Sequence, residues 1–184
     1  MMLIEKLKQM DERVFHFVNQ ELSHPVLDQI MVFVSGKLIW LFLALIWFFY
    51  MLYKRHWLNV KKGLLVAASL GVADLVAFNL LKPYFGRPRP CKILSDVHFI
   101  DGCGGFFSFP SNHATNAFVV AFMLTSLAGK LRWSVMMYTL AVIIGFSRVY
   151  LGVHYPGDIV AGFFFGSLIG YLGLAVGKRS LLKA

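Results

Sequence analysis

Long apolar stretches alternate with short polar ones along most of the chain. A helix that crosses a bilayer needs about 20 apolar residues, or somewhat fewer where its ends lie below the head groups. Residues 26–34 are apolar, but the stretch is short and carries Asp28. We therefore expect an all-α, polytopic transmembrane bundle of five to six membrane helices, in which residues 26–34 form a partly inserted helix or an additional span. The five stretches that approach the required length are residues 38–53, 63–81, 114–128, 133–151 and 159–177.

The first 25 residues have a different pattern, in which apolar and charged residues are interspersed. The segment lacks the apolar centre of a cleavable signal, so we predict an amphipathic helix that lies in the membrane interface. No linker, low-complexity tract or internal repeat divides the chain. A single domain over residues 1–184 is the expectation.

The composition agrees with a membrane protein. Of the 184 residues, 58% are hydrophobic and 15% are charged, and the mean hydropathy of +0.68 is far too high for a soluble domain of this size. In a soluble protein the net charge of +9 would suggest nucleic acid. Membrane proteins, however, collect positive charge in cytoplasmic loops and in sites for anionic lipids. We expect no nucleic-acid partner and infer no obligate protein partner.

The Lys and Arg residues other than Lys82, Arg89 and Arg148, which are assigned to the candidate site below, indicate the orientation. Nine of them lie in the turns after the first and third spans and in the tail, and six lie in segments on the opposite side. We therefore predict that the N-terminus lies outside and the C-terminus in the cytoplasm. The nine are Lys54, Arg55, Lys61, Lys62, Lys130, Arg132, Lys178, Arg179 and Lys183, and the six are Lys6, Lys8, Arg13, Lys37, Arg87 and Lys92.

The first polar cluster, residues 82–90, reads Lys-Pro-Tyr-Phe-Gly-Arg-Pro-Arg-Pro directly after the second predicted span. Read alone, it fits either a collar of cations that binds lipid head groups or a phosphate site. Its prolines fix φ and hold the cations on a stiff backbone. That stiffness favours a phosphate site, since Arg offers paired donors to phosphate and Lys a point charge.

The second cluster, residues 110–113, reads Pro-Ser-Asn-His directly before the third predicted span. Ser111 or Asn112 is well suited to cap that helix, whose free N–H groups and positive dipole end would attract an anion. Taken in isolation, the segment is better explained as a helix cap followed by an incidental interfacial histidine, His113.

The third cluster, residues 147–158, links the fourth and fifth predicted spans and contains His154 and Asp158 four positions apart. A carboxylate on the imidazole Nδ1–H would fix the tautomer and leave Nε2 as a nucleophile. An ion pair at a helix end explains the pair about equally well when it is considered alone.

The predicted topology brings all three clusters to one membrane face, which favours a single anion site over three unrelated features. Only Asp96, Asp101 and Asp158 are acidic near this face, too few for a two-metal phosphatase. We therefore expect no metal and no cofactor. The residues brought together are Lys82, Arg89, Ser111, His113, Arg148, His154 and Asp158.

Together the clusters resemble the type 2 phosphatidic acid phosphatase (PAP2) family, whose pattern is K-x6-R-P, then P-S-G-H, then S-R-x5-H-x3-D. Lys82, Arg89 and Pro90 match the first motif, and the third is matched throughout. Asn112 stands where the family usually has Gly, which leaves a backbone N–H but adds a side chain at the tight turn beside the phosphate. Because Asn tolerates left-handed φ, we expect the turn to keep its conformation. The third motif consists of Ser147, Arg148, His154 and Asp158.

The resemblance implies a metal-independent lipid phosphatase in which His154 attacks phosphorus and forms a phosphohistidine. Asp158 would orient His154, and His113 would protonate the leaving oxygen. Phosphoryl transfer needs this in-line nucleophile, this proton donor and fixed positive charge around the equatorial oxygens. The implied ligands of the non-bridging oxygens are Lys82, Arg89, Ser111, Asn112 and Arg148, and Ser147 is assigned to the surrounding shell.

Three further features concern packing and the loop. Asp74 lies eight residues before Lys82, about 12 Å along the second span, and structural pairing is favoured over substrate contact. Small residues at positions 162, 166 and 170 predict close packing of span five against span three. Cys91 and Cys103 share the loop 82–113, which the orientation places in an oxidising compartment, and form either a disulfide or two free thiols.

The resemblance favours undecaprenyl diphosphate as substrate, with phosphatidylglycerophosphate or the 1-phosphate of lipid A as alternatives. It also implies the bacterial inner (plasma) membrane, with the active site on the periplasmic or extracytoplasmic face. A vanadate-dependent haloperoxidase shares the anion site, but those enzymes are soluble. A non-catalytic phosphate or lipid transporter would carry polar residues at mid-membrane depth, where only Asp74 and Asn79 interrupt the spans.

Overall fold

The computed structural model describes residues 2–100 and 102–180, without the side chains of residues 37, 39 and 178–180. Helices account for almost all regular structure in this part of the chain, and the only bridge is an isolated one between Pro88 and Phe107. Two π-helical turns, Phe17–Glu21 and Ala77–Leu81, follow the first and fourth α-helices. The α-helices are Met2–His16 (α1), Pro25–Ser35 (α2), Lys37–Tyr53 (α3), Trp57–Val76 (α4), Lys82–Phe85 (α5), Pro90–Ile93 (α6), Asn112–Ala128 (α7), Leu131–Tyr150 (α8) and Pro156–Ser180 (α9).

Each of the five predicted spans lies on a long helix. Within the described residues, three helices are long and apolar enough to cross a membrane: Trp57–Phe85, Leu131–Tyr150 and Pro156–Gly177. A fourth is obtained if Pro25–Ser35 and Trp40–Tyr53, which meet at an angle of 42°, form one broken span. The apolar helix α7 has 17 residues. The number of crossings therefore stays a prediction.

Most of the helices begin before the apolar stretches that were predicted as spans. Polar residues at the ends of the apolar stretches extend the helices, so that α4 begins at Trp57 and α9 at Pro156. Asn112 and His113 belong to the first turn of α7 and not to the preceding loop. Backbone hydrogen bonding continues through interfacial polar residues, which the apolar pattern alone does not detect.

Helix α7 lies at the centre of the bundle and packs against α9, α8 and α4. As predicted, small residues permit its approach to α9, since a Cβ atom at Gly166 would overlap the carbonyl oxygen of Thr115. One at Gly162 would lie 3.0 Å from the carbonyl oxygen of Ser111. The glycines thus bring the start of α9 against the start of α7, where the second and third polar clusters lie.

The N-terminal segment combines exposed and buried parts. Helix α1 exposes Leu3, Leu7 and Met10 along its surface, whereas Phe15 is fully buried against the ends of α8 and α9. Val18 and Asn19 in the following π-helical turn are also buried. The part of the predicted interfacial segment that the structure describes is therefore helical over residues 2–21 and docks onto the bundle at the end that carries the polar clusters.

Candidate active site

Three hydrogen bonds join the three polar clusters to one another. The ammonium of Lys82 donates to the carbonyl oxygen of Pro110 at 2.8 Å. The backbone N–H of Ser111 donates to the carbonyl oxygen of Asp158 at 3.1 Å. A guanidinium nitrogen of Arg89 lies 2.9 Å from Nε2 of His154. Segments that are distant in the chain thereby form one closed site.

His154 lies in the turn between α8 and α9. The backbone N–H groups of Val153 and His154 both donate to the carbonyl oxygen of Arg148 at 3.2 Å, which folds the chain back over the end of α8. Gly152 has a φ of 75°, in the left-handed region that favours glycine. Helix α9 then starts at Pro156, where a fixed φ suits the first helical position.

Asp158 is fully buried, and its carboxylate accepts a hydrogen bond from the imidazole of His154. Its Oδ2 accepts from Nδ1 of His154 at 3.3 Å and from the backbone N–H of Tyr155 at 2.9 Å. Because the carboxylate accepts at Nδ1 and Arg89 donates to Nε2, His154 is the neutral Nδ1–H tautomer with its lone pair on Nε2.

The charge state of His154 follows from its surroundings. Burial lowers the pKa of His154 to about 3, the charges of Arg89 and Lys82 add to this lowering, and Asp158 opposes it. A neutral imidazole with a free Nε2 lone pair is the form that can attack phosphorus. The nearby cations are placed to attract the anionic group under attack.

Two cations of the first cluster, Lys82 and Arg89, are held by backbone carbonyl groups of the loop before α7. Lys82 is buried, and its ammonium donates to Phe107, Ser108 and Pro110 at 3.3, 3.2 and 2.8 Å. Arg89 donates through Nε to Gly105 at 2.7 Å. Carbonyl acceptors fix the positions of the two cations without neutralising their charge.

The start of α7 supplies backbone donors, as the capping prediction requires. Ser111 is the N-cap residue, and its hydroxyl accepts from the N–H of Ala114 at 3.5 Å. Asn112 is the first helical residue, and among the described non-glycine residues only Arg55 has a positive φ. The left-handed conformation considered for Asn112 is therefore not used, because the helix has already begun there.

The Asn112 side chain points towards Asp74, donating to Oδ1 at 2.7 Å. Asn116, one turn later on α7, donates to both carboxylate oxygens of Asp74 at 3.2 Å. Asp74 therefore pairs with α7, in line with the structural pairing favoured from the sequence. This contact holds the start of α7 against α4.

His113 lines a cavity of about 550 Å³ between α2, α3, α4, α7 and α8. Its walls are apolar except for His113, Asn116 and Ser35. Ser35 at the end of α2 contacts the guanidinium of Arg148, which is buried. The hydroxyl of Ser147 donates to the carbonyl oxygen of Ile144 in its own helix at 2.7 Å. An apolar cavity therefore lies beside the polar site.

The structure adds contacts that the sequence did not indicate. Arg87, counted above only as a loop cation, donates to Oδ1 of Asp158 at 2.9 Å and to Asp11 of α1 at 2.6 Å. Arg87 and Arg89 are two positions apart, a spacing that places side chains on the same side of an extended segment. This spacing was the available signal for Arg87, and the sequence held none for Asp11.

Cys91 and Cys103 form a disulfide, with Cα atoms 6.2 Å apart. The sequence left open a disulfide or two free thiols, and the structure has the disulfide. Within residues 2–100 and 102–180, no group of three or more His, Cys, Asp or Glu side chains is placed to hold a metal ion.

Comparisons with known proteins agree with this site. The family pattern of the PAP2 superfamily matches residues 62–181. A lipid A 4'-phosphatase of Bacteroides thetaiotaomicron is 36% identical over 92% of this chain and 78% of its own. Undecaprenyl-diphosphatase BcrC of Bacillus subtilis is 33% identical over 82% of this chain and 76% of its own.

A solved structure extends the likeness to the fold. The crystal structure of a transmembrane PAP2 type phosphatidylglycerolphosphate phosphatase from Bacillus subtilis superposes with a TM-score of 0.78 at 26% identity. The match covers 97% of this chain and 90% of that one. With the family pattern over most of its length and lipid phosphatases among its relatives, the chain belongs to the PAP2 superfamily.

Proposed function

We propose that this PAP2 protein hydrolyses the terminal phosphate of a lipid monophosphate or diphosphate through a phosphohistidine on His154. The observation that carries the proposal is the chain of contacts Arg89–His154–Asp158, in which a buried neutral imidazole lies between a guanidinium and a carboxylate. That arrangement supplies a nucleophile, its orienting group and a cation for the phosphate in one place.

In the first step the lone pair on Nε2 of His154 attacks phosphorus, and the bond from phosphorus to the lipid oxygen breaks. His113 donates a proton to that oxygen, and the lipid leaves as the alcohol or the shorter phosphate. In the second step water attacks phosphorus, His113 takes a proton from the water, and the N–P bond breaks to release inorganic phosphate. The imidazole then regains its neutral form.

Arg89 has two roles in this sequence. In the structure its guanidinium donates a hydrogen bond to Nε2 of His154 at 2.9 Å, which occupies the lone pair that would attack phosphorus. On phosphate binding the guanidinium must therefore move from Nε2 to the phosphate oxygens before the attack. Lys82, Arg148, the hydroxyl of Ser111 and the N–H of Asn112 complete the set of phosphate ligands. Ser147 and Asp74 lie outside this set and support the helices that carry it.

Undecaprenyl diphosphate is the first candidate substrate. We assign the part of its long chain nearest the phosphate to the apolar cavity beside His113, which has a volume of about 550 Å³. The 4'-phosphate of lipid A is the second candidate, because the relative that is 36% identical carries that activity in its name. Phosphatidylglycerophosphate and the 1-phosphate of lipid A remain in the substrate panel.

The long apolar helices and the bacterial relatives support a bacterial membrane protein. We place the site on the periplasmic or extracytoplasmic face of the inner membrane, with the C-terminus in the cytoplasm. The excess of Lys and Arg in the turns at the other end of the bundle supports this orientation.

The test is phosphate release by purified protein from a panel of lipid mono- and diphosphates in the presence of EDTA. We expect turnover to survive EDTA and to be highest with undecaprenyl diphosphate. His154→Ala should abolish release while its thermal transition in detergent stays that of a folded protein, and Asp96→Asn, an exposed loop acid, is the matched control. A His154→Ala variant with most of its activity would exclude the proposed nucleophile.

A further inference from the structure

Arg87 connects the buried carboxylate of the site to the N-terminal helix. One guanidinium nitrogen donates to Oδ1 of Asp158 at 2.9 Å, and the other donates to Oδ2 of Asp11 at 2.6 Å. The guanidinium carbon lies 4.0 Å from the centre of the Tyr155 ring, which supports the side chain from one face. Arg87 is thus held on three sides beside the group that orients His154.

This contact completes the hydrogen bonding of the Asp158 carboxylate. Oδ2 accepts from His154 and from the N–H of Tyr155, whereas Oδ1 accepts from Arg87. Asp158 is fully buried, and a buried charge without a charged partner is strongly disfavoured. Loss of Arg87 would therefore favour a rotated or protonated carboxylate, and either change weakens the acceptor for Nδ1–H.

Asp11 in turn holds Arg87 and the start of α9. Its Oδ1 accepts from the N–H of Gly157 at 2.7 Å, the residue directly before Asp158. A Cβ atom at position 157 would lie 3.0 Å from the Asp11 carboxylate, so glycine allows the two to meet. The side chain of Asp11 is 14% exposed and that of Arg87 is 25% exposed. Helix α1 therefore contributes an acid to the support of the catalytic pair.

We propose that Asp11 and Arg87 are positioning residues for the reaction, and that α1 is a working part of the site through them. They fix the plane of the Asp158 carboxylate, and the carboxylate fixes the Nδ1–H tautomer of His154. This inference rests on the proposed function, because it assigns a role relative to the His154 nucleophile. Neither residue belongs to the set that binds phosphate.

The test compares Arg87→Met, Arg87→Lys and Asp11→Asn with matched controls on the same segments, Lys92→Met and Glu5→Gln. In analogy to outer partners of functional histidines, we expect Arg87→Met to lower kcat about 10- to 100-fold. KM should stay unchanged, because substrate does not contact Arg87. Arg87→Lys should recover part of kcat, since an ammonium still offers Asp158 a cation, and the controls should match the unaltered protein.

Two further measurements separate positioning from a general loss of structure. In an Asp158→Asn background, Arg87→Met should cost little more, because both changes act on the same contact. In ¹⁵N spectra of His-labelled protein, Arg87→Met should raise the population of the other imidazole tautomer. An equal loss of kcat in both backgrounds, or an unchanged tautomer together with unchanged kcat, would overturn the proposal.

Failure of this inference is distinguishable from failure of the proposed function. If Arg87→Met retains full kcat while His154→Ala is inactive, the positioning role is wrong and the nucleophile stands. If His154→Ala itself retains activity, the proposed function is wrong, and with it the role assigned to Asp11 and Arg87.

Discussion

The imidazole of His154 lies between a guanidinium and a carboxylate, and both neighbours act on its protonation. Arg89 can donate only to an unprotonated Nε2, and Asp158 can accept only from a protonated Nδ1. Burial also favours the neutral imidazole, because it lowers the pKa of His154 to about 3. At the scale of residues, the site therefore holds the proposed nucleophile in the neutral Nδ1–H tautomer before substrate arrives.

The lowered pKa of His154 leads to a prediction about its titration. An ordinary imidazole changes charge between about pH 5 and 8, whereas His154 should stay neutral throughout that range. Since the unfolded chain takes up this proton and the folded chain does not, stability should fall as the pH drops below about 6.5 towards the folded pKa of about 3. ¹⁵N shifts of labelled His154 measure this directly. An imidazolium signal that appears near the ordinary pKa would contradict the prediction.

The proposed proton donor role of His113 predicts a dependence on the leaving group. A general acid contributes about 10²- to 10⁴-fold where the departing oxygen is basic, and little where it is already a stable anion. His113→Ala should therefore lose most rate with lipid monophosphates and least with nitrophenyl phosphate. The slope of log kcat/KM against leaving-group pKa is the measurement. Parallel losses across the series would assign His113 to another role.

At the scale of elements, α7 and α9 form the frame of the site. Gly162 and Gly166 allow the helix starts to touch, and the N–H of Ser111 reaches the carbonyl oxygen of Asp158 at 3.1 Å. Asp74 holds the same end of α7 from α4 through Asn112 and Asn116. Helix packing therefore sets the distance between the proposed phosphate ligands at the start of α7 and the proposed nucleophile.

The helix contact predicts the effect of a single methyl group. Gly166→Ala places a Cβ atom into the carbonyl oxygen of Thr115, and overpacking of this kind costs about 1–3 kcal/mol. We expect a lower thermal transition and reduced turnover, because α9 must move away from α7. Gly71→Ala is the matched control, since a Cβ there meets nothing within 4 Å. Equal behaviour of the two variants would show that the contact does not constrain the site.

At the scale of the whole molecule, the site depends on segments that lie far apart in the chain. The disulfide between Cys91 and Cys103 closes the loop whose next residues, including Gly105, hold Arg89 and Lys82. The N-terminal helix reaches the same end of the bundle through Asp11 and through the buried Phe15. The bundle thus presents one organised polar end above apolar helices.

Loss of the disulfide should destabilise the polar end of the bundle. Closing a loop of about 15 residues stabilises a fold by about 3 kcal/mol, so Cys91→Ser with Cys103→Ser should lower the thermal transition and reduce turnover. Reductant should lower the transition of the unaltered protein to the same level and leave the double variant unchanged. A double variant as stable and active as the unaltered protein would show that the loop holds its shape without the bond.

The sequence by itself determined the helical class of the fold and which polar residues were available for the candidate site. Two features depend only on the order of residues along the chain: the apolar stretches of span length, and the spacing of Lys82, Arg89, His154 and Asp158. Both could therefore be predicted from the sequence. The ends of the helices were predicted less accurately, because polar residues such as Asn112 continue a helix beyond the apolar stretch.

Only the tertiary structure decided which side chains meet. Arg87 and Asp158 are 71 positions apart, and Asp11 and Gly157 are 146 apart. No periodicity links such residues, because their contact arises from the way α1, α7 and α9 pack. The same holds for Asn112 with Asp74 and for Arg148 with Ser35. Packing converts separate local patterns into one site, and the partners of each group are fixed only when the helices are in place.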